Sequence, residues 1–157
     1  MMESVMYKVF GGGRGEKKLL AFLYYFDKIG VREVSITEIL DAVKIAQERS
    51  DLGYRFSEKV FYSSDVFDEL DDIERKGYVR RYSYRHDGYF PLNYVALTPT
   101  GYRQSEKVLK NISPEELEII KDSVIKATKN LEERYRLWRR KLPKRKTFSQ
   151  YQQQSKL

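Results

Sequence analysis

The sequence predicts an α+β protein, mostly helical, and three observations carry that expectation. Apolar residues recur at three- and four-residue spacing in several separate stretches, and a pair of Tyr- and Val-rich runs with a period of two flanks an Asp-Gly dipeptide. The third is a helical repeat of about 29 residues late in the chain, long for a domain of this size. With 157 residues, one core-forming domain with an appendage is the expected organisation. Hydrophobic residues at 41% and charged residues at 34% are too apolar for disorder and too evenly charged for a membrane protein.

The opening Tyr7-Lys8-Val9-Phe10-Gly11-Gly12-Gly13-Arg14-Gly15 places four glycines among five residues, and residues 1–15 read as a flexible arm. A phosphate loop would need Lys-Ser/Thr after the glycines, where this chain has Glu16-Lys17-Lys18. Leu19, Leu20, Phe22, Leu23, Phe26 and Ile29 then mark a helix over 16–29, ended by Gly30. Val31 to Val34 suits a short strand. Ser35-Ile36-Thr37-Glu38 has the spacing of a capping box and starts a second helix, roughly Ile36 to Gln47, that buries Ile36, Ile39, Leu40, Val43 and Ala46. Tyr54 to Tyr62 fits a strand or a helical turn equally well. Ser63-Ser64-Asp65 offers hydroxyl caps and an early acid for a third helix, with Val66, Phe67, Leu70 and Ile73 on its inner face, Arg75 and Lys76 at its negative end, and Gly77 as terminator.

Beyond Gly77 the period changes to two. Tyr78 to Arg85 and Tyr89 to Thr98 form a hairpin about His86-Asp87-Gly88, with Pro91 confined to an unpaired edge or bulge. Thr98-Pro99-Thr100-Gly101 reads as a turn and Tyr102 to Leu109 as a helix. Ser113-Pro114-Glu115-Glu116 combines a hydroxyl cap, proline at the first helical position and glutamate at the third. From there Leu117, Ile120, Val124, Ala127, Leu131, Tyr135, Trp138 and Leu142 repeat close to every 3.5 residues, the period of a seam between helices, so residues 113–142 are expected to meet a second chain through Leu117, Ile120, Val124, Leu131, Tyr135 and Trp138. Residues 143–157 are polar, basic and Gln-rich and read as a disordered tail.

Whole classes of chemistry drop out at this point. The absence of cysteine removes disulfides, thiol nucleophiles and thiolate metal sites, and the single histidine, His86, has no second ligand near it. No nucleophile and base stand in a spacing that demands catalysis, so neither an enzyme nor a cofactor is expected. There is no run of 18 apolar residues and no basic leader with an apolar stretch, which points to the cytoplasm and away from a membrane. The net charge of +7 is unevenly spread. Glu132 to Leu157 holds nine basic residues against two acids, leaving 21 of each sign upstream out of totals of 30 and 23. A polyanionic partner is therefore expected first at the C-terminal end.

The order helix, strand, helix, helix, hairpin, helix, together with Leu70-Asp71-Asp72-Ile73-Glu74-Arg75-Lys76-Gly77-Tyr78-Val79-Arg80-Arg81 and, further on, Val95-Ala96-Leu97-Thr98-Pro99-Thr100-Gly101, resembles the winged helix-turn-helix domain of MarR-type and PadR-type transcription regulators. The resemblance covers residues 16–110. It implies a homodimer that binds double-stranded DNA, with the third helix in the major groove, the hairpin on neighbouring backbone and a long C-terminal helix joining the two chains. Lys59, Tyr62, Ser63 and Ser64 would then lie where bases are read, and Arg80, Arg81, Arg85 and His86, backed by Tyr82, Tyr84 and Tyr89, would meet phosphates. The cluster Arg139, Arg140, Lys141, Lys144, Arg145 and Lys146 would add salt-sensitive affinity. One departure stands out: Asp65, Asp68, Glu69, Asp71, Asp72 and Glu74 against Arg75 and Lys76 leave the third helix at −4. In this it looks similar to antitoxin-like and adaptor winged-helix proteins, which implies an alternative function as a docking face for a basic protein.

Overall fold

Caps and glycines set the element boundaries. The computed structural model of the chain describes residues 11–84 and 92–138. Five helices and three short strands follow one another: α1 (Gly11–Lys28), β1 (Val34–Ser35), α2 (Ile36–Arg49), α3 (Ser64–Arg75), β2 (Val79–Tyr84), β3 (Leu92–Leu97), α4 (Pro99–Leu109) and α5 (Pro114–Trp138). The architecture is α+β and mostly helical, as the periodicities require.

α1 begins at Gly11, not after the glycines, so the part of the expected arm that is described is helical. Each glycine costs a helix about 1 kcal/mol relative to alanine, yet lengthening a helix that is already packed needs no new nucleus. Gly30, at φ +90°, closes this region, and Val31 donates its N–H back to the Phe26 carbonyl at 2.9 Å. At α2 the capping box forms as its spacing demands: Glu38 N–H donates to Ser35 Oγ, and Ser35 N–H donates to the Glu38 carboxylate, both at 3.1 Å. α3 is capped by Ser63 and stopped by Gly77 at φ +79°.

Thr98-Pro99-Thr100-Gly101 is not a turn but the start of α4. Thr98 is its N-cap, accepting from Gly101 N–H at 3.0 Å, and Pro99 takes the first helical position, where a missing N–H costs nothing. The same threonine donates its hydroxyl to the Gly77 carbonyl at 2.6 Å and its N–H to the Tyr78 carbonyl at 3.0 Å. One residue thus ties the end of α3, the foot of β2 and the beginning of α4 together.

β3 is the central strand of an antiparallel sheet in the order β1-β3-β2. Val34 faces Val95 across one ladder, and Val79 to Tyr84 run against Leu97 to Leu92 across the other. Pro91 and the Asp87-Gly88 turn lie outside the described residues. The sheet supplies Val34, Val79 and Val95 to a core filled mainly by Leu19, Leu20, Phe22, Leu23 and Phe26 of α1, Ile39 and Val43 of α2, and Leu70 and Ile73 of α3.

α5 lies along α2 and α1. Ion pairs fix it at both contacts, Lys18 to Glu116 at 2.8 Å and Arg49 to Asp122 at 3.2 Å. Ile120, Val124 and Ala127 are fully buried in the chain's own core, while Leu117 and Leu131 are half-buried. This corrects the expectation for Ile120 and Val124: they do not form a seam with a second chain. A 3.5-residue repeat records that a helix is covered along one stripe and not which chain covers it. Among the described residues no helix is long and apolar enough to cross a membrane.

Candidate functional site

The stretch between α2 and α3 has no regular secondary structure, yet it is firmly held. Gln47 bridges it, donating its side-chain amide to the Tyr54 carbonyl at 2.5 Å and accepting from Leu52 N–H at 2.8 Å. Tyr54 is buried, and its hydroxyl donates to the buried Glu69 carboxylate at 2.6 Å. Burial, then the Glu69 charge, push the Tyr54 hydroxyl pKa well above its ordinary value. Further on, Ser57 N–H donates to the Tyr62 carbonyl at 2.9 Å and closes a small loop. Lys59, Val60, Phe61 and Tyr62 are exposed on it.

Rings stack beneath this loop. Phe56 lies on Phe61 with centroids 6.1 Å apart, Tyr62 lies on Phe67 at 5.1 Å, and the Lys44 ammonium sits 5.3 Å from the Phe61 centroid. Ser63 follows at once. It is 1% exposed and its hydroxyl accepts from Val66 N–H at 3.4 Å, so it caps α3 and cannot meet a base edge. That expectation is corrected, and its neighbour Ser64 is the exposed hydroxyl.

α3 turns Val66, Leu70 and Ile73 inward and carries Asp65, Asp68, Asp71, Asp72 and Glu74 along its outer side. Four of them, Asp65, Asp71, Asp72 and Glu74, are met by cations from three directions. Arg55 grips Asp65 with both ends of its guanidinium, at 3.1 and 3.2 Å, and donates its backbone N–H to the same carboxylate at 2.8 Å. These contacts hold the Asp65 pKa below its ordinary value, with the Arg55 hydrogen bond as the leading cause. Arg75 and Lys76 reach Asp72 at 3.4 and 3.2 Å. From β2, Arg81 bonds Asp71 at 2.6 Å and approaches Glu74 at 3.5 Å.

No known protein family, curated protein or solved structure matches this chain. Strand alternation separates the two β2 arginines expected to contact phosphate: Arg81 leans toward α3 and is engaged there, whereas Arg80, opposite Ala96, is exposed. Lys59, Tyr62, Ser64 and Arg80 thus stand on the surface around α3 and the hairpin. Arg85, His86, Arg139, Arg140, Lys141, Lys144, Arg145 and Lys146 lie outside the described residues. Tyr135 and Trp138 fall on α5, where only the backbone is described. Among the described residues no group of His, Asp and Glu side chains could hold a metal ion.

Arg55, Lys44 and Phe61 join the region without having been singled out in the sequence. Arg55 is ten residues from Asp65, and Lys44 is seventeen from Phe61. No helical or strand period links such pairs. The one available cue was the aromatic density of residues 54–62.

Proposed function

We propose that this chain is a winged-helix protein that binds double-stranded DNA as a homodimer and serves as a transcription regulator. The observation that carries the reading is the set of ion pairs along α3. The carboxylates alone would repel phosphate, but Arg55, Arg75, Lys76 and Arg81 stand on them and bring that flank close to electrical balance. The order of elements and the hairpin rising beside α3 also support it. In this reading Lys59, Tyr62 and Ser64 face the groove, Arg80 meets phosphate, and the basic stretch from Arg139 to Lys146 supplies sequence-independent affinity.

The dimer contact moves outward along α5 relative to the expectation from the repeat. Among the residues whose side chains are described, Ala127 is the last that is fully buried, and residues 128–138 continue the helix beyond it, with Leu131, Tyr135 and Trp138 keeping the apolar spacing. The alternative, a basic protein docking on α3, has less to work with, because the same ion pairs consume most of the charge it would use.

A mobility-shift titration of mixed-sequence duplex at two salt concentrations tests the proposal. If five or six phosphates are neutralised, the logarithm of affinity falls with the logarithm of salt at a slope of about −5. Truncation after Leu142 lowers affinity and flattens that slope. A flat response in the full chain refutes the reading, and a basic protein whose binding survives the truncation would favour the alternative.

A further inference from the structure

The 57–62 loop pushes three consecutive apolar side chains into solvent: Val60 is 61% exposed, Phe61 42% and Tyr62 44%. A mobile loop would fold such residues inward, but this one is held in place. Ser57 and Tyr62 close it through their backbones, Ser57 Oγ accepts the N–H groups of Lys59 and Val60, and Tyr54 anchors it to Glu69. The result is a rigid apolar ledge joined directly to the cap of α3.

We propose that this ledge reads thymine, by covering the C5-methyl groups that A·T pairs present in the major groove. The inference rests on the DNA-binding reading above and names the base that reading leaves open. Three features of the ledge select this ligand. Three side chains make a patch far smaller than the roughly 800 Å² per partner of a stable protein interface, but they match the size of a contact with one or two bases. The rings are poor platforms for an unpaired base, since Phe61 already stacks on Phe56 and receives Lys44, and Tyr62 stacks on Phe67. The thymine methyl is the one apolar group on the major-groove edge of a base pair, and Val60 and Phe61 carry no side-chain donor or acceptor for any other feature.

Charge agrees with this placement. Lys44 and Lys59 outnumber Glu58 beside the ledge, and Asp65 is already paired with Arg55. The phosphates bordering a groove would therefore meet Lys44 and Lys59.

The full-length chain is titrated with two short duplexes of one A·T-rich sequence, identical except that deoxyuridine replaces every thymidine in the second. The wild type binds the thymine duplex about four- to fifteenfold more tightly, the effect of covering one or two methyl groups. Phe61→Ala and Val60→Ser bring the ratio of thymine-duplex to uracil-duplex affinity to about one, and a cooperative thermal melt of each variant shows that both fold. Equal wild-type binding to the two duplexes overturns the inference and leaves DNA binding intact, with the ledge then better suited to a protein. A preference that persists in both variants also overturns it. Binding to neither duplex overturns this inference together with the reading it rests on.

Discussion

Replacing Gly101 by alanine tests the junction on which the hairpin stands. In the middle of most helices this change stabilises by roughly 0.5–1 kcal/mol, because glycine loses more conformational freedom on folding. Here the sign reverses. A Cβ at Gly101 would overlap the Tyr78 carbonyl oxygen and lie 2.6 Å from its carbon, and the obstacle is backbone that no rotamer change can clear. To admit the methyl, α4 must back away from the foot of β2. That movement strains the Thr98 N–H bond to Tyr78, the Thr98 hydroxyl bond to Gly77 and the cap from Gly101 N–H. Overpacking costs about 1–3 kcal/mol and each weakened hydrogen bond about 1 kcal/mol, so the expected loss is roughly 3 kcal/mol or more. For a chain of this size that is a fall in melting temperature of about 6–12 °C, read by circular dichroism. Thr100→Ala, one residue away and exposed, is the control and should melt close to the wild type. A Gly101→Ala protein as stable as the parent would refute the close approach and the account of this junction.

Four further outcomes follow from the ion pairs and the core. The double variant Asp71→Asn with Glu74→Gln releases Arg81 from α3 and should tighten duplex DNA binding about fivefold while steepening the salt slope by about one; unchanged or weaker binding counts against a phosphate contact by Arg81. Ile120→Ala should cost the isolated chain about 2–5 kcal/mol in a urea melt at a protein concentration low enough to keep it monomeric, because this side chain is fully buried within one chain; a loss seen only at high concentration would return it to a seam between chains. Asp65 has a depressed pKa, so its contribution is full above the ordinary carboxylate range and disappears as pH falls through the lower folded value; Arg55→Gln should remove that part of the acid sensitivity, and identical acid titrations of the two proteins would disprove the pairing. Tyr54 has a raised pKa, so the stability tied to its neutral hydroxyl holds below about pH 10 and drains away as the solution becomes more alkaline; Tyr54→Phe should be about 1.5–3 kcal/mol less stable at neutral pH and should lose less than the wild type at high pH.

Features written within one helical turn were legible in the sequence. Ser35 and Glu38 are three residues apart, and their mutual hydrogen bonds need nothing else in the molecule. Gly77 could be recognised as a terminator because Arg75 and Lys76 precede it and a change of period follows. Thr98-Pro99 is ambiguous in the sequence because threonine and proline serve a β-turn and a helix start equally well, and only the close approach of Gly101 to Tyr78 decides between them. The glycines from Gly11 to Gly15 show the limit of propensity when a packed helix lies immediately downstream. The surface around α3 was the least legible part. Arg81 meets Asp71 across ten residues and from another element, and the pairing needs both the Gly77 reversal and the pleat of β2 to bring the two side chains face to face. Counting charges along α3 therefore gave −4, whereas counting them in space gives a flank on which most carboxylates already have a partner.

Under the proposed function, that difference bears on how a helix with six acids would stand beside a nucleic acid. Had the stripe been bare, each carboxylate would have imposed its repulsion at a distance comparable to the Debye length, about 8–10 Å, and Lys44 and Lys59 could not have offset it. Pairing converts the stripe into short dipoles whose field decays faster than that of a charge, and it does so with arginines whose guanidinium groups keep donors to spare. An incoming phosphate then competes with a carboxylate for a cation already in place, instead of having to overcome a negative surface. The cost of that exchange is a weaker attraction than free arginines would give, so such a flank favours loose, salt-sensitive association and leaves discrimination to uncharged contacts. In the proposed reading, contacts of that kind fall to the exposed ledge at the start of α3, so the neutralised stripe and the apolar tip would divide affinity and discrimination between them.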